Sequence, residues 1–488
     1  MAYCGYVVKV EKIRKHENAD RLQIATFFGN DTVVGLDTQV GQLGIYFPVD
    51  GQLSPEFCAA NDLVRRKDEN GNPCGGYMDP DKRNVKAVKL RGEKSDGLFL
   101  PITCLASFGP ISGLKPGDTI DIFNGVEICK KYIPKRKPNG HWYWHGGSGK
   151  KKAKANFAPT FYEHIDTSQL AYSLGDFRVG DVIELSLKMH GTSARTGYLP
   201  LIKQKKQTLW QKITHKPPHT YTEYDYVTGT RRVVLDNNHD GGFYSDNEFR
   251  HQMAKKFEGK LHKGEVVYYE IVGFVNENTP IMASVKNSKI KDKAFSKQYG
   301  EETVFSYGCD PNGKWLPQMG ELYNVEKNEY GEMTADFDWQ PPRCEVYVYR
   351  MTSVNEDGDV VELSPDQVRY RCEQMGVKTV PVFERFIIPD DLAVYKMYLD
   401  EYETPQADIT FAASPGEYVL RKVEEYFDGP DPIGKTHIRE GVVARIINRP
   451  NIAVYKHKNF QFKVLEGIIK DEALEPDMEE AQEDIGVE

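Results

Sequence analysis

Lys188-Met189-His190-Gly191-Thr192-Ser193 places an amine at the end of an alternating run, two residues before an imidazole and three before a glycine turn. In the preceding stretch, Asp181 to Leu187, apolar and polar residues alternate with period two. Ile183, Leu185 and Leu187 then share one face of a strand, and Glu184, Ser186, Lys188 and His190 share the other. An amine on the polar face of a strand is placed to attack phosphorus. Four later segments carry further chemistry. Val266 to Gly273 presents Glu270 shortly before a glycine, and Glu345 to Met351 carries Tyr347 and Tyr349 on one face. Arg439-Glu440-Gly441 presents a second carboxylate at a turn into an apolar strand. Phe460 to Leu465 reads as a strand with Lys463 opposite Phe462.

These residues need elements to hold them. A chain of 488 residues with 40% hydrophobic and 11% aromatic content has material for two to four folded domains. Its apolar runs are shorter than a membrane span requires, so no membrane partner is expected. The N-terminus lacks the basic and apolar regions of a secretory signal. Eight scattered cysteines without a CxxC pair argue against a zinc knuckle or disulfide framework. The expected compartment is the cytoplasm. The net charge of −9 is unevenly spread. Residues 130–154 hold nine Lys or Arg and no acid, interleaved with Trp142, Tyr143 and Trp144, a composition suited to phosphate contacts and base stacking.

Residues 1–125 read as short strands separated by Gly, Asp, Asn and Pro turns. Strand number and length predict a small five-stranded OB-fold barrel. Residues 126–160 read as a basic linker, 161–470 as a larger α+β region, and 471–488 as a disordered acidic tail. Within the α+β region, Ser245 to Glu248 has the form of a capping box opening a helix with Phe249, Met253 and Phe257 on one stripe. Ser364-Pro365-Asp366 opens another helix running through Met375. Gly146 to Lys150 lacks the spacing and preceding strand of a phosphate-binding loop and is excluded as one.

Taken in order, the five segments resemble motifs I, III, IIIa, IV and V of the covalent lysyl-nucleotide enzymes: DNA ligases, RNA ligases and capping guanylyltransferases. Lys188 matches the lysine that accepts the nucleotide, Glu270 and Glu440 the two acids, and Lys463 a motif V lysine. Tyr347 or Tyr349, preferably Tyr347, matches the aromatic that stacks on the purine. Thr230-Arg231 is similar to motif Ia, with Arg232 adjacent. Glu17 to Leu22, Tyr46 to Asp50, Lys89 to Gly92 through Gly97-Leu98, and Gly125 to Tyr132 look like the N-terminal OB domain of the Deinococcus-type ATP-dependent RNA ligases. The resemblance covers about 5–132 and 161–470; 133–160, much of 200–240 and 308–342 look like insertions. Only 25 residues follow Lys463, too few for the C-terminal OB domain of DNA ligases and capping enzymes, so RNA ligase is favoured.

The resemblance implies an OB domain followed by an ATP-grasp-like nucleotidyltransferase domain of antiparallel sheets and helices. It implies ATP with Mg²⁺ or Mn²⁺, and RNA or an RNA/DNA duplex with a nick as partner. Lys188, Glu270, Glu440 and Lys463 would be catalytic, with Glu270 and Glu440 on the metal. His190, Gly191, Arg231, Tyr347, Tyr349, Glu270 and Lys463 would bind the nucleotide. Many relatives carry Asp at the position of His190; a neutral imidazole adds less negative charge to a metal shell, and a hydrogen bond to ribose is the alternative role. Attack requires a neutral amine, and lowering a lysine from ~10.4 to ~7 takes about 4 kcal/mol. An ammonium such as Lys463 at about 4–5 Å supplies roughly 3–4 kcal/mol at an effective dielectric of ~20. Alternatives are a GTP-dependent guanylyltransferase and an inactive ligase-like protein that holds nucleic-acid ends.

Overall fold

Short alternating runs become strands wherever one face can be buried, and turn residues decide where they reverse. In the computed structural model the described residues are 3–133, 158–165, 167–205, 218–231, 234–235, 248–276, 279–282, 293–299, 344–399, 405–433 and 437–472. The aromatic basic stretch, the Gly146–Lys150 loop, the Ser245 cap, Arg232, 308–342 and most of the acidic tail lie outside them. The chain divides into two compact units, Met1–Arg136 with Asn459–Pro476, and Lys137–Lys458 with Asp477–Glu488.

In the first unit, strand Gly5–Lys9 pairs antiparallel with Leu43–Phe47 and Thr119–Ile120, and Leu43–Phe47 pairs with Leu98–Pro101. Ile13–Lys15, Leu22–Phe27 and Asn30–Gly35 form a three-stranded meander. Val7, Ile45, Phe47, Leu53 and Phe57 are buried at its core. Among the described pairings the sheets do not close into a barrel. The hairpin of Ala87–Leu90 and Glu93–Asp96 turns on Arg91 and Gly92, both left-handed at φ 50° and 95°, as a tight two-residue turn of this hand requires. Buried His16 locks that turn to the segment after it. Its Nδ1 accepts from the Asn18 N–H (3.1 Å), so the neutral ring carries its proton on Nε2 and donates to the Leu90 carbonyl (3.0 Å). Asn18 Nδ2 donates to the Arg91 carbonyl (3.0 Å). Two segments read separately in the sequence, Glu17 to Leu22 and Lys89 to Gly92, are thus one structural unit.

The strand expected over Phe460–Leu465 is instead a helix, Phe460–Glu472, grouped with the first unit. Asn459 caps it, its Oδ1 accepting from Gln461 N (2.8 Å) and Phe462 N (3.2 Å). Phe462 and Leu465, three apart, are both buried, so a helical period governs a stretch whose first four residues merely alternate. Lys463 Nζ pairs with Asp96 Oδ2 at 2.5 Å, with both side chains largely buried. Lys463→Met leaves the Asp96 carboxylate buried without this counter-charge. Allowing for partial exposure of the lysine, the expected loss is about 1–3 kcal/mol. Chemical denaturation should show it, with an earlier unfolding midpoint.

The second unit is built on two sheets. The five-stranded sheet runs Ser168–Gln169, Ala453–Lys458, Gly441–Ile446, Val182–Leu187, Val382–Ile387. The larger sheet runs Val234–Leu235, Thr220–Thr230, Thr192–Gln204, Glu265–Asn276, Cys344–Val354, Val360–Glu362, with two short strands added to it. Ile183 and Leu185 are fully buried under the smaller sheet with Val419 and Val423 of helix Pro415–Glu424. Phe249, Met253 and Phe257 pack with Val267, Ile271 and Val348 beneath the larger one. Helix Pro365–Met375 has the predicted bounds, with a Ser364/Gln367 capping box and Gly376 left-handed at its end. The unit is therefore α+β and rich in sheet, and its two sheets line a common cavity of about 350 Å³.

Candidate active site

Burying Ile183 and Leu185 forces Glu184 and Ser186 to the opposite face, and both line the cavity, as does Lys188 just beyond the strand end. Lys188 N donates to the Gly441 carbonyl (3.0 Å), which brings the lysine to the turn carrying Glu440. Its Nζ lies 2.6 Å from Glu440 Oε1, with Glu440 only 4% exposed. Lys458, the last residue of its strand and the register partner of Gly441, reaches the same oxygen at 3.5 Å. A Cβ on residue 441 would sit 2.1 Å from the His457 carbonyl oxygen, so only glycine lets these strands close around Glu440. One buried carboxylate thus holds two ammonium groups.

Gly191 serves the same purpose on the other side. A Cβ there would lie 2.4 Å from the Ile271 carbonyl and 2.9 Å from Glu270 Cγ. Beyond it, Thr192 accepts from Arg250 Nη2 (2.7 Å), and Ser193 Oγ donates to Glu270 Oε2 (3.1 Å). Ser193, Glu270 and Tyr347 are cross-strand neighbours in the larger sheet. Glu270 is buried and lines the cavity with Arg231 and Tyr349. The tyrosine hydroxyl stands 3.5 Å from Ser193 Oγ. Tyr347 belongs instead to a buried apolar cluster with Leu187, Met189, Val272 and Ile433. Arg231 directly follows the strand Thr220–Thr230, whose last carbonyl accepts from buried Arg195 Nε (3.0 Å), while the Arg231 carbonyl accepts from His164 N (3.3 Å).

His190 Nδ1 lies 3.8 Å from Glu440 Oε2, yet this is a contact with a neutral ring. Burial holds its imidazole well below the ordinary value of 6.5, and His437, Lys188 and Lys458 push the same way. The sign of the linkage follows. An unfolded chain protonates this residue near pH 6.5 and the folded chain does not, so stability is retained above that pH and lost as pH falls. At pH 5.5 the cost reaches about 1.4 kcal/mol. Thermal melts at about pH 7.5 and 5.5 should show this loss, and His190→Asn should remove that share of it.

Lys188, Arg231, Glu270 and Tyr349 of the expected residues line one cavity, and Glu440 joins them through the Lys188 pair. Lys463 belongs to the first unit, on Asp96. Lys456 and Lys458 were missed in the sequence, although Lys456 lines the cavity and Lys458 pairs with Glu440. Their signal was a Lys-x-Lys pair, two residues apart on one face, ending an alternating strand. Among the described residues no cluster of three metal-ligating side chains occurs, and no helix is long and apolar enough to cross a membrane.

No family model matches the chain, and no curated protein matches it in sequence. Solved structures do. A variant of Naegleria gruberi RNA ligase with AMP and manganese aligns with a TM-score of 0.51 at 13% identity, covering 94% of this chain and 97% of that one. Another variant with ATP and manganese gives 0.50 at 13%, covering 97% and 98%. The same ligase with pyrophosphate gives 0.50 at 13%, covering 96% and 99%. At such identity the likeness establishes the fold alone: this chain shares the overall fold of those RNA ligase structures.

Proposed function

We propose that this protein is an ATP-dependent RNA ligase that joins 3′-OH and 5′-phosphate ends, with nicked duplexes as its substrate. The observation that carries the reading is Lys188, which lines a cavity between both sheets together with Glu270 and shares the buried Glu440 carboxylate with Lys458. The shared fold with an RNA ligase whose structures hold AMP, ATP, manganese or pyrophosphate supports it. Lys188 Nζ attacks the α-phosphorus of ATP, forming the N–P bond as the bond to the bridging oxygen breaks and pyrophosphate leaves with its electron pair. The ammonium must first give up a proton to solvent and turn from Glu440. Lys458 is placed to keep that carboxylate neutralised meanwhile. A 5′-phosphate oxygen of RNA then attacks the AMP phosphorus and the N–P bond breaks, Lys188 leaving as an amine that takes a proton back from solvent. A 3′-OH, its proton passing to solvent, next attacks the 5′-phosphorus of the capped end, and the bond to the bridging oxygen breaks as AMP leaves with its electron pair.

Glu270 and Glu440 are the acids that would share a Mg²⁺ or Mn²⁺. Two carboxylates fit a cation that keeps several waters in its shell. When bound, the ion would neutralise phosphate charge and ease departure of pyrophosphate. Tyr349 and Arg231 line the cavity, and in this reading Tyr349 would stack on the base or sugar and Arg231 would meet phosphate. His190, neutral, can exchange a hydrogen bond with ribose. The first unit, as an OB-like module, and the basic stretch at 130–154 would grip the nucleic acid. Nicked duplexes with RNA or DNA placed separately on each side test the reading. Sealing should require ATP and an RNA 3′-OH end. ATP-independent sealing, or none with any duplex, contradicts it.

A further inference from the structure

The cavity continues past Lys188 to a second polar cluster. Four residues back, within the strand Val182–Leu187 that Lys188 directly follows, stands Glu184, 7% exposed and lining the same cavity. At about 3.3 Å per residue the two positions lie roughly 13 Å apart, a span that suits a nucleoside monophosphate with its phosphate at the lysine. Glu184 Oε2 accepts from both Arg369 Nη1 (2.9 Å) and Arg385 Nη2 (2.7 Å). Asp366 binds the same two arginines, which fixes the plane of the Glu184 carboxylate. Glu184 Oε1 accepts from no described residue. The Ser186 and Thr379 hydroxyls, also on the cavity wall, have no described side-chain partner either.

A carboxylate only accepts hydrogen bonds. A purine bearing an exocyclic 6-amino group donates there, whereas one bearing a 6-oxygen offers a second acceptor. Resting on the proposed nucleotidyl transfer, we infer that Glu184, oriented by Arg369 and Arg385, reads the base and selects a 6-aminopurine over a 6-oxopurine. Lys188 just past the strand end, with Ser186 and Glu184 within the strand, then forms a ruler from phosphate to base edge. A site whose acceptor is left facing an oxygen or nothing discriminates more sharply than an apolar slot does.

The unaltered protein tests this with three α-labelled triphosphates: ATP, inosine triphosphate and purine riboside triphosphate, which lacks the 6-amino group. The efficiency of covalent labelling should fall about 10- to 100-fold on removing the amino group, and further with inosine. In Glu184→Gln, whose amide can also donate, the preference for ATP over inosine triphosphate should shrink at least about 10-fold. Equal labelling by all three, or an unchanged preference in Glu184→Gln, overturns the inference while leaving nucleotidyl transfer standing. Labelling by none overturns the parent reading and this one with it. Should Glu184→Gln not fold, equal labelling of the unaltered protein by all three triphosphates still overturns the inference, and Glu184→Asp, whose shorter side chain withdraws the carboxylate, should narrow the preference for ATP in its place.

Discussion

Lys188→Ala is expected to cut transfer of AMP onto the protein by about 10⁴-fold or more, the scale seen when a covalent nucleophile is removed. Folding should survive, since Lys188 is partly exposed and Lys458 remains 3.5 Å from Glu440 to offset its charge. Lys188→Arg sharpens the point. A guanidinium can keep an ion pair with Glu440 but cannot lose its proton to become a nucleophile. Loss of labelling with an unchanged melting temperature in the arginine variant assigns the effect to chemistry rather than to fold. Labelling by either variant at the native rate would remove Lys188 from the mechanism.

Glu440→Ala sets two effects against each other. The carboxylate 2.6 Å away stabilises the charged, unreactive lysine, so its removal alone should make the amine available at lower pH. Glu440 also gathers Lys188, Lys458 and, in the proposed mechanism, the cation, and losing a preorganised charge of this sort costs about 10²- to 10³-fold. The second effect should dominate the maximal rate and the first should appear in the profile. Labelling therefore falls about 100-fold or more while its rise with pH shifts to lower pH. A fall without that shift would mean that Glu440 does not govern the lysine charge. A rate increase at neutral pH would reduce Glu440 to a mere counter-ion.

Local pattern made much of the second unit readable in advance. Alternation over Val182–Leu187 placed Glu184, Ser186 and Lys188 on one face, and the Ser364 cap gave the helix that supplies Arg369. Long-range packing was not readable. Alternation puts Tyr347 and Tyr349 on one face, but only the surrounding Leu187, Met189 and Ile433 bury the first and leave the second at the cavity. Lys463 looked like a strand lysine because Phe460 to Lys463 alternates. The deciding facts, the Asn459 cap and the distant Asp96, lie outside that window. Strand count in the first unit suggested a barrel, yet closure depends on edge pairing that no strand sequence encodes alone. Glu184 gained its significance from two arginines about 185 and 200 residues away.

The most direct test is to incubate the full chain with α-labelled ATP and Mg²⁺ or Mn²⁺, digest it, and identify the labelled peptide by mass spectrometry. The account predicts one acid-labile phosphoramidate carrying AMP on Lys188, discharged when a 5′-phosphorylated RNA is added. AMP on any other residue, or no covalent nucleotide with either metal, would contradict it.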